Sequence, residues 1–178
     1  MDELTLVKEC IAGNIRYQRA LFEKYAPKML VVCSRYAKST EQAEDVLQDG
    51  FVKVFGKLKD YKGEGSLEGW IRRIVVNTAL DQIRKDAKQQ FNIPLDDVSY
   101  RIEQKELILD GLMAEDLMKL IRSMPEGYKV VFNLFAIEGY SHAEIADKLG
   151  ISENTSKSQY SRARAYLRER LERIKSGR

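Results

Sequence analysis

Apolar residues recur along most of the chain at the three- and four-residue spacing of amphipathic helices. In residues 41–58 the apolar or small residues stand at positions 43, 46, 47, 50, 51, 54, 55 and 58, which places them on one side of a helix. The chain has three prolines and almost no alternation of β-branched and polar residues. The pattern therefore predicts an all-α protein, with helices over 4–12, 15–26, 27–37, 41–58, 67–88, 107–124 and 125–139 and two more within 140–171.

Several helix ends carry local signals. Gly13 is expected to end the first helix, and Pro27 is expected at the first position of the third, where proline loses no hydrogen bond. The expected N-caps of the next two helices are Ser39 or Thr40, and Ser66.

Residues 89–111 interrupt the helical period. The stretch contains Pro94 and an acidic pair, which is typical of a connecting segment. A chain of 178 residues can build two small helical cores. We therefore predict two helical domains, residues 1–88 and 112–178, joined by a linker over 89–111.

The last part of the chain has the layout of a helix-turn-helix. Ser141 and Glu144 form an S-x-x-E capping box at the start of a short helix. Gly150 stands where a helix ends in the left-handed conformation, and Ser152 is placed to cap the next helix. A short helix, a glycine turn and a longer helix are typical of DNA-binding proteins.

The longer helix has two different faces. Helical spacing assigns one face to the core: Ser156, Tyr160, Ala163 and Leu167. The opposite face carries short polar side chains flanked by cations: Asn154, Ser158, Ser161, Lys157 and Arg162. Such a mixture suits a major groove, where polar groups reach base edges and cations hold phosphates. A solvated amphipathic helix would show the same spacing, so this alternative stays open here.

Two helices of the first half also carry polar faces. Glu41, Asp45, Gln48 and Val52 share one face of 41–58, with Glu44 and Asp49 beside it. This acidic strip favours a basic protein partner over DNA, although a solvated acidic face would have the same pattern.

An aromatic residue lies among cations on the helix over 67–88. The stripe consists of Trp70, Arg73, Asn77, Asp81 and Arg84. Beside a glycine-rich loop, such a stripe can stack on unpaired bases. A buried tryptophan next to an ordinary polar face explains the pattern equally well.

Charge and composition narrow the function. The net charge is only +3, but residues 151–178 hold eight basic and three acidic side chains. Cys10 and Cys33 have no metal-binding spacing and are expected to be reduced thiols in a cytoplasmic protein. The first residues do not resemble a signal peptide, and no apolar run has membrane-spanning length. We see no nucleophile–base set, metal-ligand cluster or phosphate loop, so no catalytic residue, cofactor or metal is expected. The single histidine, His142, is expected at the surface or at a cap.

Three long stretches together resemble the extracytoplasmic-function (ECF) group of bacterial RNA polymerase sigma factors, within the sigma-70 superfamily. They are STEQAEDVLQDGFVKVF, YKGEGSLEGWIRRIVVNTALDQIRK and MPEGYKVVFNLFAIEGYSHAEIADKLGISENTSKSQYSRARAYL. The resemblance covers nearly the whole chain apart from the linker. Within 178 residues we expect neither the long acidic region nor the third domain of a primary sigma factor, which argues against that class.

The resemblance implies a sigma-2-like and a sigma-4-like domain with three binding surfaces. The first domain would dock on the clamp helices of the largest polymerase subunit through Glu41, Asp45, Gln48 and Asp49. It would capture the melted −10 element through Lys62, Ser66, Trp70, Arg73, Asn77, Asp81 and Arg84. The polymerase contacts would also include the flap region. The second domain would read the duplex −35 element through Asn154, Thr155, Lys157, Ser158, Gln159 and Arg162.

The resemblance also implies core RNA polymerase and promoter DNA as partners, and an inhibitory anti-sigma factor that masks the DNA-binding surfaces. The chain departs from the family at two positions. Ser156 stands at a core-facing position where valine is common, and a serine there can hydrogen-bond to the preceding turn. Gln159 stands where arginine is common.

Two other classes fit parts of the sequence. An ordinary helix-turn-helix regulator would bind duplex DNA alone, but it would leave the Trp70 stripe unexplained. A small helical nuclease would need carboxylates clustered in a pocket, whereas here they are spread over helix faces.

Overall fold

The structure is a computed structural model that describes residues 2–86 and 114–176. No strand occurs within these two ranges, and the predicted all-α class is confirmed. The described α-helices are α1 (Glu3–Ile11), α2 (Ile15–Tyr36), α3 (Thr40–Lys57), α4 (Leu67–Asp86), α5 (Ala114–Ser123), α6 (Glu126–Phe132), α7 (His142–Leu149) and α8 (Glu153–Ser176). A 3-10 turn, Leu58–Asp60, follows α3, and a π-helical turn, Asn133–Ile137, follows α6. None of the helices in the described ranges is both long enough and apolar enough to cross a membrane.

The chain divides into two compact units, Met1–Lys88 and Gln89–Arg178. The first contains α1 to α4 and the second contains α5 to α8. The predicted linker over 89–111 lies outside the described residues, as does the predicted start of a helix at Leu107. The exact domain limits therefore stay a prediction.

Helix α2 corrects one expectation of the sequence analysis. Pro27 lies inside a single helix of 22 residues and does not start a new one. Leu21 and Tyr25 before it and Met29 after it are at most 2% exposed. An interior proline costs a helix about 3 kcal/mol, whereas each large buried side chain contributes about 1.5–3 kcal/mol. Core packing on both sides of the proline therefore outweighs its cost.

The first unit brings α3 and α4 close together at a glycine. Gly50 is buried in α3, and a Cβ added there would lie 3.1 Å from Val75 Cγ2 of α4. The glycine therefore allows the two helices to approach closely. Because α3 and α4 carry the predicted polymerase and −10 residues, this contact sets the distance between the two surfaces.

The second unit packs three of its helices around a small apolar core. The core consists of Ile121, Met124, Phe132, Ala163 and Leu167. Tyr166 of α8 also donates its hydroxyl to the carbonyl oxygen of Ser123 at the end of α5, at 2.8 Å. The helix predicted over 125–139 differs from the structure. The α-helix α6 ends at Phe132, and the π-helical turn follows it directly.

The helix-turn-helix forms as its local signals predict. Ser141 Oγ accepts from the Glu144 amide at 3.2 Å, and Glu144 Oε2 accepts from the Ser141 amide at 2.8 Å. Gly150 has a φ of 67°, in the left-handed region. Ser152 Oγ then accepts from the Thr155 amide at 3.0 Å and caps α8. These contacts fix the turn that presents α8.

Candidate nucleic-acid and protein interfaces

The predicted polymerase-binding residues lie on the solvent side of α3. Ser39 caps the helix, since its hydroxyl accepts from the Gln42 amide at 3.2 Å. The backbone N–H of Glu41 itself, followed by the Ser39 hydroxyl, lowers the pKa of the Glu41 carboxyl. Val52 is 71% exposed at the far end of the strip. The face therefore offers negative charge with one apolar spot.

A groove of about 250 Å³ lies between α3 and α4 beside this strip. Asp45, Gln48 and Asp49 line it, together with Gln42, Val46 and Gln82. Gln42 Nε2 and Gln82 Nε2 both donate to the Asp86 carboxylate, at 3.0 and 3.1 Å. The structure thus brings three predicted residues into one groove, whereas Glu41 does not line it.

The loop before α4 is held in shape by a tyrosine that the sequence analysis did not select. The Tyr61 hydroxyl donates to the Gly65 carbonyl oxygen at 2.8 Å. Its ring centroid lies 5.5 Å from that of Trp70. Gly63 and Gly65 have φ angles of 75° and 86°, which only glycine adopts readily. The loop therefore presents two aromatic rings next to accessible backbone.

The predicted −10 residues differ in how available they are. Lys62 and Arg73 are exposed, and Trp70 and Asn77 are half-buried. The Ser66 hydroxyl accepts from the Gly69 amide at 3.1 Å and so caps α4, as expected. Trp70, Arg73 and Asn77 form the half of the stripe nearest the loop.

Asp81 is the one acidic member of the stripe, and two cations pair with it. Lys53 Nζ and Arg84 Nη1 lie 3.1 and 3.0 Å from its carboxylate oxygens. Partly exposed pairs of this kind contribute little stability, but they neutralise a carboxylate that would otherwise repel phosphate. These pairs hold Arg84 beside Asp81, and the assignment of Asp81 as a DNA contact stays a prediction.

The predicted −35 residues lie on the first three turns of α8. Asn154, Lys157 and Ser158 are exposed, and Arg162 is half-buried. Lys157 Nζ lies 2.7 Å from Glu153 Oε1, and this cation lowers the pKa of Glu153. Thr155 is half-buried, and its hydroxyl lies 2.8 Å from Ser152 Oγ within the N-cap.

Gln159 lies apart from the other predicted −35 residues. It faces α6, where a Cβ added at Gly127 would lie 3.2 Å from Gln159 Oε1. That oxygen is buried and has no hydrogen-bond partner within the part of the chain that the structure describes. Its assignment as a DNA contact stays a prediction, since Asn154 and Ser158 project from another side of α8.

Ser156 is fully buried and its side chain contacts α7. Its Oγ lies 2.9 Å from Nδ1 of His142, so the bond crosses to the other helix of the motif. His142 is half-buried and stacks on Phe135 with ring centroids 4.2 Å apart. The sequence analysis expected His142 at the surface or at a cap and a Ser156 bond to the preceding turn. It did not predict the bond between the two residues, because they lie 14 positions apart.

Comparisons with known proteins find relatives for both units of the chain. Residues 21–89 match the family "Sigma-70 region 2", and residues 114–167 match "Sigma-70, region 4". The chain is 28% identical to the ECF RNA polymerase sigma factor SigE of Mycolicibacterium smegmatis over 85% of its own length, and it spans 60% of that relative. It is 28% identical to the ECF RNA polymerase sigma factor SigM of Mycobacterium tuberculosis (strain H37Rv), over 99% of this chain and 88% of that one.

A solved structure shares the fold. This is the sigma factor RpoE of Bartonella quintana in complex with the anti-sigma factor NepR, with a TM-score of 0.54 and 22% identity. The match covers 86% of this chain and 96% of the other. With its region 2 and region 4 matches, its two helical units and its ECF relatives, this chain belongs to the extracytoplasmic-function group of the sigma-70 family and is a promoter-directing sigma factor.

Proposed function

We propose that this chain binds core RNA polymerase, reads a melted −10 element with the first unit and reads a duplex −35 element with the second. The observation that carries this proposal is the presence in one chain of a helix-turn-helix and of an aromatic, cationic surface on α4. A regulator that binds only duplex DNA needs only the helix-turn-helix. The aromatic, cationic surface on α4 suits unpaired bases.

The −10 surface combines stacking with phosphate binding. Trp70 offers a ring face beside Tyr61, and an extruded base that stacks recovers part of the cost of opening its pair. Lys62 and Arg73 are exposed at the same end of α4 and supply positive charge for the non-template strand. Asn77 adds donor and acceptor groups one turn further on.

The −35 surface separates base reading from phosphate binding. Asn154 and Ser158 are one helical turn apart and exposed, so they can reach base edges in a major groove. Lys157 and Arg162 flank them and hold the backbone. This division predicts that sequence preference depends on the first pair and salt dependence on the second.

The acidic groove on α3 supplies the polymerase contact. Asp45, Gln48 and Asp49 line it and would face the clamp helices of the largest subunit, while the second unit would contact the flap region. The chain would act in the cytoplasm as a specificity factor, with no catalytic step and no cofactor of its own. An anti-sigma factor is proposed as a further partner, because the related Bartonella protein was solved in complex with one.

Run-off transcription tests this function directly. The purified chain is mixed with sigma-free bacterial core polymerase and a promoter library, and the transcripts are sequenced. We expect specific start sites that share a pair of upstream motifs. If the chain does not stimulate transcription by core polymerase but protects duplex DNA in footprints on its own, an ordinary helix-turn-helix regulator would be favoured.

A further inference from the structure

A polar contact joins the two helices of the helix-turn-helix inside an otherwise packed interface. His142 is the first residue of α7, and Ser156 lies on the first turn of α8. The 2.9 Å distance between Nδ1 and Oγ is that of a hydrogen bond. Ser156 is fully buried, so the folded chain would be less stable if its hydroxyl lacked this partner.

The imidazole is held in place from two directions. It lies nearly parallel to the Phe135 ring, at an angle of 12° and 4.2 Å between centroids. The Tyr160 ring of α8 lies 5.8 Å from His142 and 4.5 Å from Phe135. The rings fix where Nδ1 points, and the hydrogen bond then fixes where Ser156 can lie. An apolar pair at these positions would allow α8 to slide or rotate more freely, because dispersion contacts have no preferred direction.

The surroundings of His142 favour its neutral form. Burial, followed by the positive charge of Lys157 on α8, lowers the pKa of His142, while Glu153 on α8 acts in the opposite direction. The π-helical turn faces the ring with uncharged Phe135, and α8 also contributes the phenol of Tyr160. On its own helix His142 occupies the positive end of the dipole, next to the Ser141–Glu144 capping box.

Ser156 is central to the part of α8 that would read DNA. Asn154 and Ser158 lie two residues before and after it, and Lys157 follows it. A change in how Ser156 is seated therefore moves these groove-facing side chains together. We infer that the His142–Ser156 bond is a positioning contact that seats the recognition helix with a neutral imidazole, so that −35 discrimination weakens in acidic solution. The part of this inference that concerns DNA rests on the proposed function.

The first test needs no DNA. His142 is the only histidine of the chain, so the full chain labelled with 15N-histidine gives the signals of a single imidazole. We expect a pKa below the ordinary value of about 6.5, with the proton of the neutral ring on Nε2 and Ser156 donating to Nδ1. Ser156→Ala removes the bond at Nδ1 and should change this pKa, and the change is upward when Ser156 donates to the neutral ring. Ser176→Ala, an exposed change at the end of the same helix, should leave it unchanged.

The second test measures discrimination by holoenzyme between a promoter with the selected −35 sequence and one with that element scrambled. The affinity ratio is used because an added positive charge strengthens both complexes. Ser156→Ala should reduce the ratio about 2–10-fold at pH 7.5, as expected for the loss of one hydrogen bond. Lowering the pH through the pKa measured for His142 should reduce the wild-type ratio in the same direction.

A double variant guards against simple misfolding. His142→Phe with Ser156→Val keeps a ring on Phe135 and leaves no buried polar group at the contact. Provided that its thermal unfolding remains cooperative, its discrimination ratio should not depend on pH. An equal pH dependence in wild type and double variant, or a His142 pKa that ignores Ser156→Ala, would overturn the inference. If wild type selects no promoter at all, the proposed function fails together with the DNA part, and the titration alone decides whether the contact forms.

Discussion

Cys33 and Cys10 show how burial sets the chemistry of a single residue. Both thiols are free and buried in the first unit. Burial raises the pKa of Cys33 to about 12 and also raises the pKa of Cys10. Because the thiolate is the reactive form, both cysteines are expected to be inert in the folded chain, which agrees with the reduced thiols expected from the sequence.

We predict that Cys33 reacts with iodoacetamide at pH 8 about a thousandfold more slowly than an exposed thiol. In the folded chain the Cys33 thiol has a pKa of about 12, whereas in the unfolded chain it loses its proton near its ordinary pKa. The contribution of Cys33 to the free energy of unfolding is therefore fully present below that ordinary pKa and is lost as the pH rises toward 12. Mass spectrometry of the alkylated chain measures the rate, and the chain in urea is the control. Fast labelling of native Cys33 would show that it is not enclosed.

Lys157 already forms an ion pair within the chain, in the absence of DNA. It pairs with Glu153 at 2.7 Å, so phosphate must compete with a carboxylate for it. We predict that Lys157→Ala weakens −35 duplex binding and reduces the slope of log affinity against log salt by about 0.9. Glu153→Gln should strengthen binding, because it leaves Lys157 available to phosphate. Titrations at several salt concentrations measure both effects.

Lys119→Ala provides the matched control for Lys157. Lys119 is an exposed lysine of the same unit that lies on α5, not on α8, and pairs with Asp116. Its replacement should leave the slope unchanged. Equal slopes for wild type and Lys157→Ala would contradict a phosphate contact at Lys157.

Packing between α3 and α4 depends on Gly50. We predict that Gly50→Ala destabilises the chain or is neutral, because a helix-propensity gain of about 1 kcal/mol opposes overpacking against Val75 of about 1–3 kcal/mol. In a Val75→Ala background the space opens, and the same substitution should become stabilising by about 1 kcal/mol. Urea unfolding of the four chains gives the coupling between the two positions.

Gly56→Ala measures the gain in helix propensity without any overpacking. Gly56 lies in the same helix, and a Cβ added there meets nothing within 4 Å. It should stabilise α3 by about 0.5–1 kcal/mol in either background. If Gly50→Ala behaves like Gly56→Ala in the wild-type chain, the close approach of the two helices is not tight.

Elements governed by neighbouring residues could be predicted from the sequence, and those governed by distant residues could not. The capping box at Ser141 and the turn at Gly150 rest on residues within a few positions of each other. The continuation of α2 through Pro27 depends on packing against other helices. The Tyr61–Trp70 pair and the burial of Gln159 against Gly127 likewise depend on contacts that no helical period encodes.

The predicted binding surfaces belong to different units of the chain. The groove on α3 and the stripe on α4 belong to the first unit, and the recognition helix belongs to the second. Loss of polymerase binding and loss of −35 binding should therefore be obtainable independently. Such independence would distinguish a two-surface initiation factor from a single DNA-binding domain with a helical extension.

We predict that Asp45→Ala with Gln48→Ala weakens core polymerase binding roughly tenfold, or about 1.4 kcal/mol, and leaves −35 duplex binding unchanged. Both side chains line the groove on α3, and a carboxylate facing a basic partner contributes to both attraction and register. Fluorescence anisotropy with labelled chain and core enzyme measures the first affinity, and labelled duplex measures the second. Glu23→Ala is the matched control, because Glu23 is an exposed carboxylate of the same unit that pairs with Arg19 on α2. Equal loss of both affinities would indicate misfolding, and an unchanged polymerase affinity would place the docking surface elsewhere on the first unit.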